Sequence, residues 1–417
     1  MNNNKKQILW LSLGNILEWY SFSIFGFYTL HISSAFFPLS TKLYSVLLTM
    51  LTFSMGFLMR PLGGIIFGYI GDKYNKKLAV DYSIFLMAVS TFLIGLLPSY
   101  SSTGLFSTIL LILLRLIQGI STGGQFSGIL TIISESTSIN KTFAVGLVNS
   151  IALMGLLFAS GIGVSVEKLI AAIPSLNILE WRIPFLFSGI LYVVYYSGLK
   201  TFNINLHKIM TKNSSLSTYI KSHMSELIYA TLIGLSLGGL YYIFFVYFHT
   251  YMQLHLGLNN YLSSQIMNIV ILFCSFNFIF LGLLSNKIHY RILFAKYLII
   301  ISIFCLMFMY FYESYKYIFI VSFIMLLIMF CEIVICTNTV FADLFSPDHK
   351  MMACALTYDL GVSLSGVFPL ICEYLNSLYS SGTHFVIIVI YLTFLFSTMM
   401  ILKTNGYKRA TSNGIRI

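Results

Sequence analysis

Stretches of about 20 apolar residues recur along the whole chain, and no other feature constrains its fold as strongly. Wound as a helix, each covers roughly 30 Å, the depth of a bilayer's hydrocarbon core. Twelve can be counted, near residues 8–31, 44–71, 78–97, 105–133, 142–166, 183–202, 227–251, 262–285, 292–312, 317–341, 352–375 and 383–402. Of the 417 residues 58% are hydrophobic and only 9% charged, and the mean hydropathy is +0.87. That is too little charge to clothe a water-soluble surface, so the fold class expected is an all-α membrane protein. The first stretch carries no small-residue cleavage site and many more follow it, so it reads as a span and not a removable signal.

Lys and Arg set the orientation. With the N-terminus inside, eighteen of the 24 fall in inside segments and four outside (Lys42, Lys168, Arg182, Lys316), while Arg60 and Arg115 lie within spans. The net charge of +11 is then a topology signal and an attraction to anionic lipid, not a nucleic-acid footprint. Abundant Ile, Asn, Lys, Phe and Tyr hint at an AT-rich bacterial genome. The localisation expected is a bacterial inner membrane, with both termini cytoplasmic.

The longest polar connection, Lys200 to Glu226, falls between the sixth and seventh spans. It divides the chain into a six-helix half (1–202), a cytoplasmic loop (203–226), a second half (227–402) and a short basic tail (403–417). "FGYIGDKYNKK" after span two and "LGLLSNKIHYR" after span eight form a weak internal repeat. A parallel repeat of two six-helix halves is common among secondary transporters.

Polar residues inside the spans carry the functional reading. Gly14, Glu18 and Ser21 lie along one face of span one, and a carboxylate at that depth needs a partner or a proton. Arg115 lies in the middle of span four, with Gln118 and Gly119 on the same face. A charge there costs about 2.5–3.5 kcal/mol or more, so Arg115 should face a cavity or a partner, and it is the candidate partner for Glu18. The plain alternative is a salt bridge that only pins helices. Gly119, Gly123, Gly124 and Gly128 read as close helix packing. Glu332 and Asp359 are further intramembrane acids whose apolar setting suits a proton carrier. The corner after span two offers Gly68 and Gly71 for close backbone approach and Asp72 as an acceptor, with Asn75 at a turn position that tolerates a left-handed conformation. The six cysteines form no CxxC pair and read as buried inert thiols, the histidines show no metal spacing, and no cofactor is expected.

Several strings together resemble a known family. "RPLGGIIFGYIGDKYNKK" (60–77) resembles the loop 2–3 signature of the major facilitator superfamily, in its metabolite:H⁺ symporter branch. "GNILEWYSF", "LRLIQGISTGGQFSG", "WRIPF", "YYIFFVYFHTY" and "DLFSPDHKMMACALTYDLGVSLSGVFP" continue the likeness in order, nearest to the proline/betaine type. The resemblance implies two six-helix halves working by alternating access, with a cytoplasmic gate at Gly68, Gly71, Asp72, Lys76 and Lys77, and with Glu135 and Lys141 as gate or scaffold groups. It implies that Arg115, with Gln118, binds a substrate carboxylate, since guanidinium can grip one with two hydrogen bonds. Trp19, Tyr20, Tyr242 and Tyr247 beside a carboxylate would suit a quaternary ammonium such as betaine, although most aromatic residues serve packing.

The chain departs from the family at several positions. Ser21 stands where the family has Asp, Gln125 where it has Glu, and Asn75 where it usually has Gly, while Asn286 and His289 weaken the second corner. Ser and Gln bind by hydrogen bonds but carry no proton, so Glu18, Asp359 or Glu332 would do so. Asp359 itself falls where the family tends to have Asn.

The function expected is proton-coupled uptake of a small zwitterion or carboxylate by a monomer whose partners are substrate, protons and lipid. The alternatives are a dicarboxylate symporter, an uncoupled facilitator, or a transport-dead sensor or scaffold. A membrane enzyme is not expected, because neither H-E-x-x-H nor a cluster of His/Asp ligands occurs in the sequence.

Overall fold

The computed structural model describes the chain apart from residues 1–2, 39–41, 136–139, 174, 176–179, 201–215, 256, 259, 285–296, 304–315, 347–348, 380–381 and 405–417. The described residues form helices and no strand. Nine helices among them are long and apolar enough to cross a bilayer, from Tyr44–Lys73 to Gly382–Ile401. Asn3–Phe27 and Arg182–Lys200 supply two more stretches read as spans. Span nine lies largely outside the described residues, as do much of the central loop, Asn286 and His289 of the second corner, Cys305, and most of the tail. The other five cysteines are buried free thiols.

Two compact units form. One comprises Met1–Ile129 and Ile151–Lys208, the other Leu130–Ser150 and Ile209–Ile417. The segment Leu130–Ser150 precedes the 202 boundary drawn from sequence, yet it packs with the second unit. Helix Lys141–Ala172 therefore runs from one unit into the other.

Several spans are broken at mid-length. Span one pauses at Tyr28 between Asn3–Phe27 and Thr29–Phe36. Span two pauses at Met59 between Lys42–Leu58 and Arg60–Lys73, because Pro61 has no amide hydrogen to offer the preceding turn. Arg60 thus opens a new helix inside the membrane. Span four breaks at Gly123-Gly124, and span eleven at Gly366-Val367 ahead of Pro369. Span seven runs through a single π turn, Ile243–Tyr247, between Met224–Tyr242 and Phe248–Leu254.

Spans two and four touch backbone to backbone. A Cβ added to Gly119 would strike the Gly56 carbonyl oxygen, and one on Gly123 would strike the backbone at Arg60 and Gly64. Apolar burial cannot draw helices together in lipid, so such contact comes from small residues that let dispersion act at short range. This seam fixes the register of Arg60 against Arg115.

The "WRIPF" string ties the opposite end of the first unit. Arg182 Nη1 donates to the Gly95 and Leu97 carbonyl oxygens at 3.0 and 2.6 Å, capping helix Lys76–Leu96, and its guanidinium lies over the Trp181 ring. Tyr20 donates its hydroxyl to Pro184 O at 2.6 Å inside a core that includes Phe25, Phe36, Trp181 and Phe185.

Asn75 corrects one expectation. It is extended (φ −162°, ψ 127°) and N-caps Lys76–Leu96, its side chain accepting from Lys77 N at 2.8 Å. The side-chain oxygen satisfies an orphan amide at the helix start, which requires an extended residue and not a left-handed one. Among the described residues only Gly104 and Gly257 have positive φ.

Gly119→Val should force the seam apart and cost about 1–3 kcal/mol, the usual range for overpacking. Gly161→Ala, with nothing within 4 Å of its added Cβ, should be close to neutral. Thermal unfolding of the two variants in detergent checks the difference.

Candidate functional site

Two buried charges of the first unit meet between spans one and two. Arg60 Nη2 lies 3.1 Å from Glu18 Oε1, with the two side chains 4% and 2% exposed. The second carboxylate oxygen of Glu18 is buried and accepts no hydrogen bond. The partner of Glu18 is therefore Arg60, which corrects the expectation of Arg115. The Pro61 break is the reason, since it places Arg60 at the head of its helix, facing span one.

Arg115 is fully buried and is held differently. Its Nη1 donates to Gln118 Oε1 at 2.7 Å and its Nη2 reaches Phe53 O at 3.4 Å. Its guanidinium carbon lies 4.0, 4.9 and 5.3 Å from the ring centroids of Phe25, Phe53 and Phe22. Nε has no acceptor, and no carboxylate among the described residues pairs with this guanidinium. Ring faces offset part of a buried charge, worth about 2 kcal/mol when desolvated, but they are no counter-ion.

A relay leads from Arg115 to span one. Gln118 Nε2 donates to Thr91 Oγ1 at 2.7 Å, and Thr91 Oγ1 lies 2.9 Å from Ser21 Oγ. Ser21, one turn from Glu18, is thus joined to Arg115 through two side chains. A Cβ on Gly14 would meet Ile84, so Gly14 and Ser21, seven residues apart, both face span three. Gln125 is wholly buried, and neither atom of its amide has a partner.

Other sequence candidates stand elsewhere. Tyr20 sits in the core described above, and Trp19 packs against Gly155. In the second unit Tyr242, Glu332 and Asp359 are buried, and Glu332 Oε1 lies 3.5 Å from Cys336 Sγ. Tyr247 donates its hydroxyl to Glu373 Oε2 at 2.7 Å and accepts from Asn376 at 2.9 Å. Sequence reasoning missed Arg60 as the partner of Glu18, and it missed Thr91 and Glu373. A charge directly before Pro61 was the usable signal for Arg60.

At the lysine-rich end, Gly68 and Gly71 are buried and Asp72 is half-buried. Lys73 donates to the Tyr69 hydroxyl at 2.6 Å, within its own helix, while Lys76 and Lys77 begin the next one. Lys141 reaches Asp343 Oδ2 at 3.3 Å, and Lys350 reaches Asp343 Oδ1 at 3.1 Å. Asp343 is only 8% exposed, so one nearly buried carboxylate joins the heads of helices Lys141–Ala172 and Lys350–Ser365. Glu135 closes helix Gln125–Glu135, just ahead of Lys141.

With this geometry in place, comparison with known proteins decides the family. The profile described as Major Facilitator Superfamily matches residues 11–370. The chain belongs to the major facilitator superfamily. Its all-α architecture is the twelve-helix type of that family, whose members are transporters and not enzymes. The fold resembles that of the proton:xylose symporter XylE bound to 6-bromo-6-deoxy-D-glucose, with a TM-score of 0.74 at 14% identity over 96% of each chain. Among curated sequences, a Staphylococcus aureus (strain COL) protein with a provisional proline/betaine transporter name is 38% identical over 183 residues, 44% of this chain and 39% of that one. The proline/betaine transporter of Salmonella typhimurium (strain LT2) is 36% identical over 184 residues, 43% of this chain and 36% of its own length. The chain thus spans about two-fifths of the length of the curated relatives it matches.

Breaking one partner of the buried pair should cost about 3–5 kcal/mol, because a charge is left without its counter-ion. Glu18→Gln should be the more destabilising change, since a lone carboxylate can take up a proton whereas a guanidinium cannot lose one. The double variant Glu18→Gln/Arg60→Gln should cost less than the two singles summed, by at least about 1 kcal/mol. A double-mutant cycle from thermal unfolding in detergent measures this coupling.

Proposed function

We propose that this chain is a secondary transporter of a small carboxylated zwitterion, of the proline or betaine class, driven by protons. The reading has the protein in a bacterial inner membrane as a monomer, with both termini cytoplasmic. The observation that carries it is Arg115, a fully buried cation with no acid beside it among the described residues and with no acceptor for its Nε. Such a group stays charged and favours an anion that brings two acceptor oxygens. The substrate carboxylate supplies that counter-ion, with Gln118 holding the guanidinium in register. The names of the curated relatives support proline or betaine over a dicarboxylate.

Glu18 is the proton carrier in this reading. Its carboxylate is buried, and among the described residues its charge is paired with Arg60. Any motion that draws Arg60 away makes the protonated acid the cheaper state. Glu332 and Asp359 are the alternative carriers in the second unit. Alternating access is gated at the lysine-rich end by Gly68, Gly71, Asp72, Lys76 and Lys77, and by Glu135 and the Lys141–Asp343–Lys350 cluster.

Uptake of radiolabelled proline into proteoliposomes tests both parts. Unlabelled proline should compete, and pyrrolidine, which lacks the carboxylate, should not. Arg115→Gln should lower kcat/KM by about 10–100-fold, the loss expected for one charge-assisted hydrogen bond. Transport at the wild-type rate would end its substrate role. Glu18→Gln/Arg60→Gln should make uptake indifferent to an inward proton gradient. Uptake of α-ketoglutarate without that of proline or betaine would favour the dicarboxylate reading.

A further inference from the structure

Each unit carries a histidine–glutamate pair at the end remote from its lysine-rich loops. In the first unit His31 Nε2 lies 3.3 Å from Glu180 Oε2, with the side chains 44% and 23% exposed. In the second, His255 Nε2 lies 3.3 Å from Glu373 Oε2, with the side chains 30% and 42% exposed. Each imidazole has a tyrosine ring about one turn earlier, Tyr28 at 5.5 Å and Tyr251 at 5.0 Å between centroids. His31 lies in the helical segment Thr29–Phe36 that extends span one, and His255 caps the C-terminus of Phe248–Leu254 in span seven. Both glutamates come from near the junction of the fifth and sixth spans of that half.

In both units the histidine follows a departure from regular α-helix. Tyr28 separates Asn3–Phe27 from Thr29–Phe36, and the π turn Ile243–Tyr247 separates Met224–Tyr242 from Phe248–Leu254. The short segment beyond each departure is therefore joined to its span by an irregular turn. In the second unit Glu373 also accepts from Tyr247, within the π turn, at 2.7 Å, and Asn376 donates to that hydroxyl and to Thr383 Oγ1. Beside this segment lies a cavity of about 30 Å³, lined by Tyr247, Phe248, Tyr251, Phe323, Thr383 and His384 among others.

We propose that His31–Glu180 and His255–Glu373 are proton-sensing latches on the outer face. The proposal rests on the orientation read above, in which these ends face outward. Histidine side chains in general change charge between about pH 5 and 8. A neutral imidazole gives the carboxylate one weak hydrogen bond, and a protonated one adds an ion pair. External acid therefore ties Phe248–Leu254 to Phe368–Leu378 and ties Thr29–Phe36 to the residues before Arg182. The described titratable groups on the elements that meet around His255 are Tyr247, His249 and Tyr251 of span seven, Glu373 and Tyr374 of span eleven, and His384 of span twelve. Around His31 they are Tyr28, Tyr44, Tyr100, Lys168, Glu180 and Arg182, and Arg182 is engaged by backbone carbonyls. Each histidine thus meets a single carboxylate among these groups.

Hydrogen exchange of the substrate-free protein in nanodiscs, corrected for intrinsic pH dependence, tests the latches without reference to transport. Peptides covering 28–36 and 248–258 should exchange roughly threefold more slowly at pH 5.5 than at pH 7.5, the effect of a partly exposed ion pair. His31→Gln/His255→Gln should abolish the difference in both peptides, and Glu373→Gln only in the second. A wild-type profile in the double variant, or none in the wild type, would overturn the proposal. A membrane-impermeant maleimide should label His255→Cys on intact cells. Failure to label would overturn the external sense while leaving the proline-uptake test untouched.

Discussion

The first unit depends on one buried contact, the ion pair between Glu18 and Arg60. Two charges at that depth are tolerated only together, because either alone faces a desolvation cost of several kcal/mol. The pair fixes the rotation of span one against span two. Span two is in turn fixed against span four by the glycine contacts at Gly56–Gly119 and Arg60–Gly123. Span four then presents Arg115 to Gln118, Thr91 and Ser21. The site is thus built as a chain of registers, each set by the one before.

The relay also gives a physical meaning to Ser21. A carboxylate at that position would place a negative charge at the far end of the Thr91–Gln118 relay from Arg115. A hydroxyl hydrogen-bonds equally well but leaves the guanidinium without a counter-ion. In the proposed reading, the serine leaves Arg115 open to a substrate carboxylate and proton carriage falls to Glu18.

Much of the fold was legible in the sequence because the bilayer demands long apolar runs, and the split of basic residues supported the count. The need of Glu18 for a partner was legible too, but the choice between Arg60 and Arg115 was not. That choice turns on a helix break at Met59 and on close helix approach, and neither has a sequence period. Thr91 was invisible for another reason. A threonine in an apolar helix ordinarily bonds its own backbone, as Thr91 also does to Met87 O, so nothing marks it as a bridge. Asn75 read as a turn residue because asparagine tolerates left-handed backbone, whereas here it serves as a helix cap. Glu373 lies half-exposed on the short helix Phe368–Leu378, where a charge does not stand out, and only the fold brings Tyr247 and His255 to it.

The central claim is that the Glu18–Arg60 pair exchanges a proton as substrate binds. The most direct measurement is the pH change of a weakly buffered solution of the purified protein when proline is added. The wild type should take up or release protons in proportion to bound substrate, and Glu18→Gln/Arg60→Gln should bind proline with no proton change. The same proton stoichiometry in the double variant would contradict the claim and move the carrier to Glu332 or Asp359.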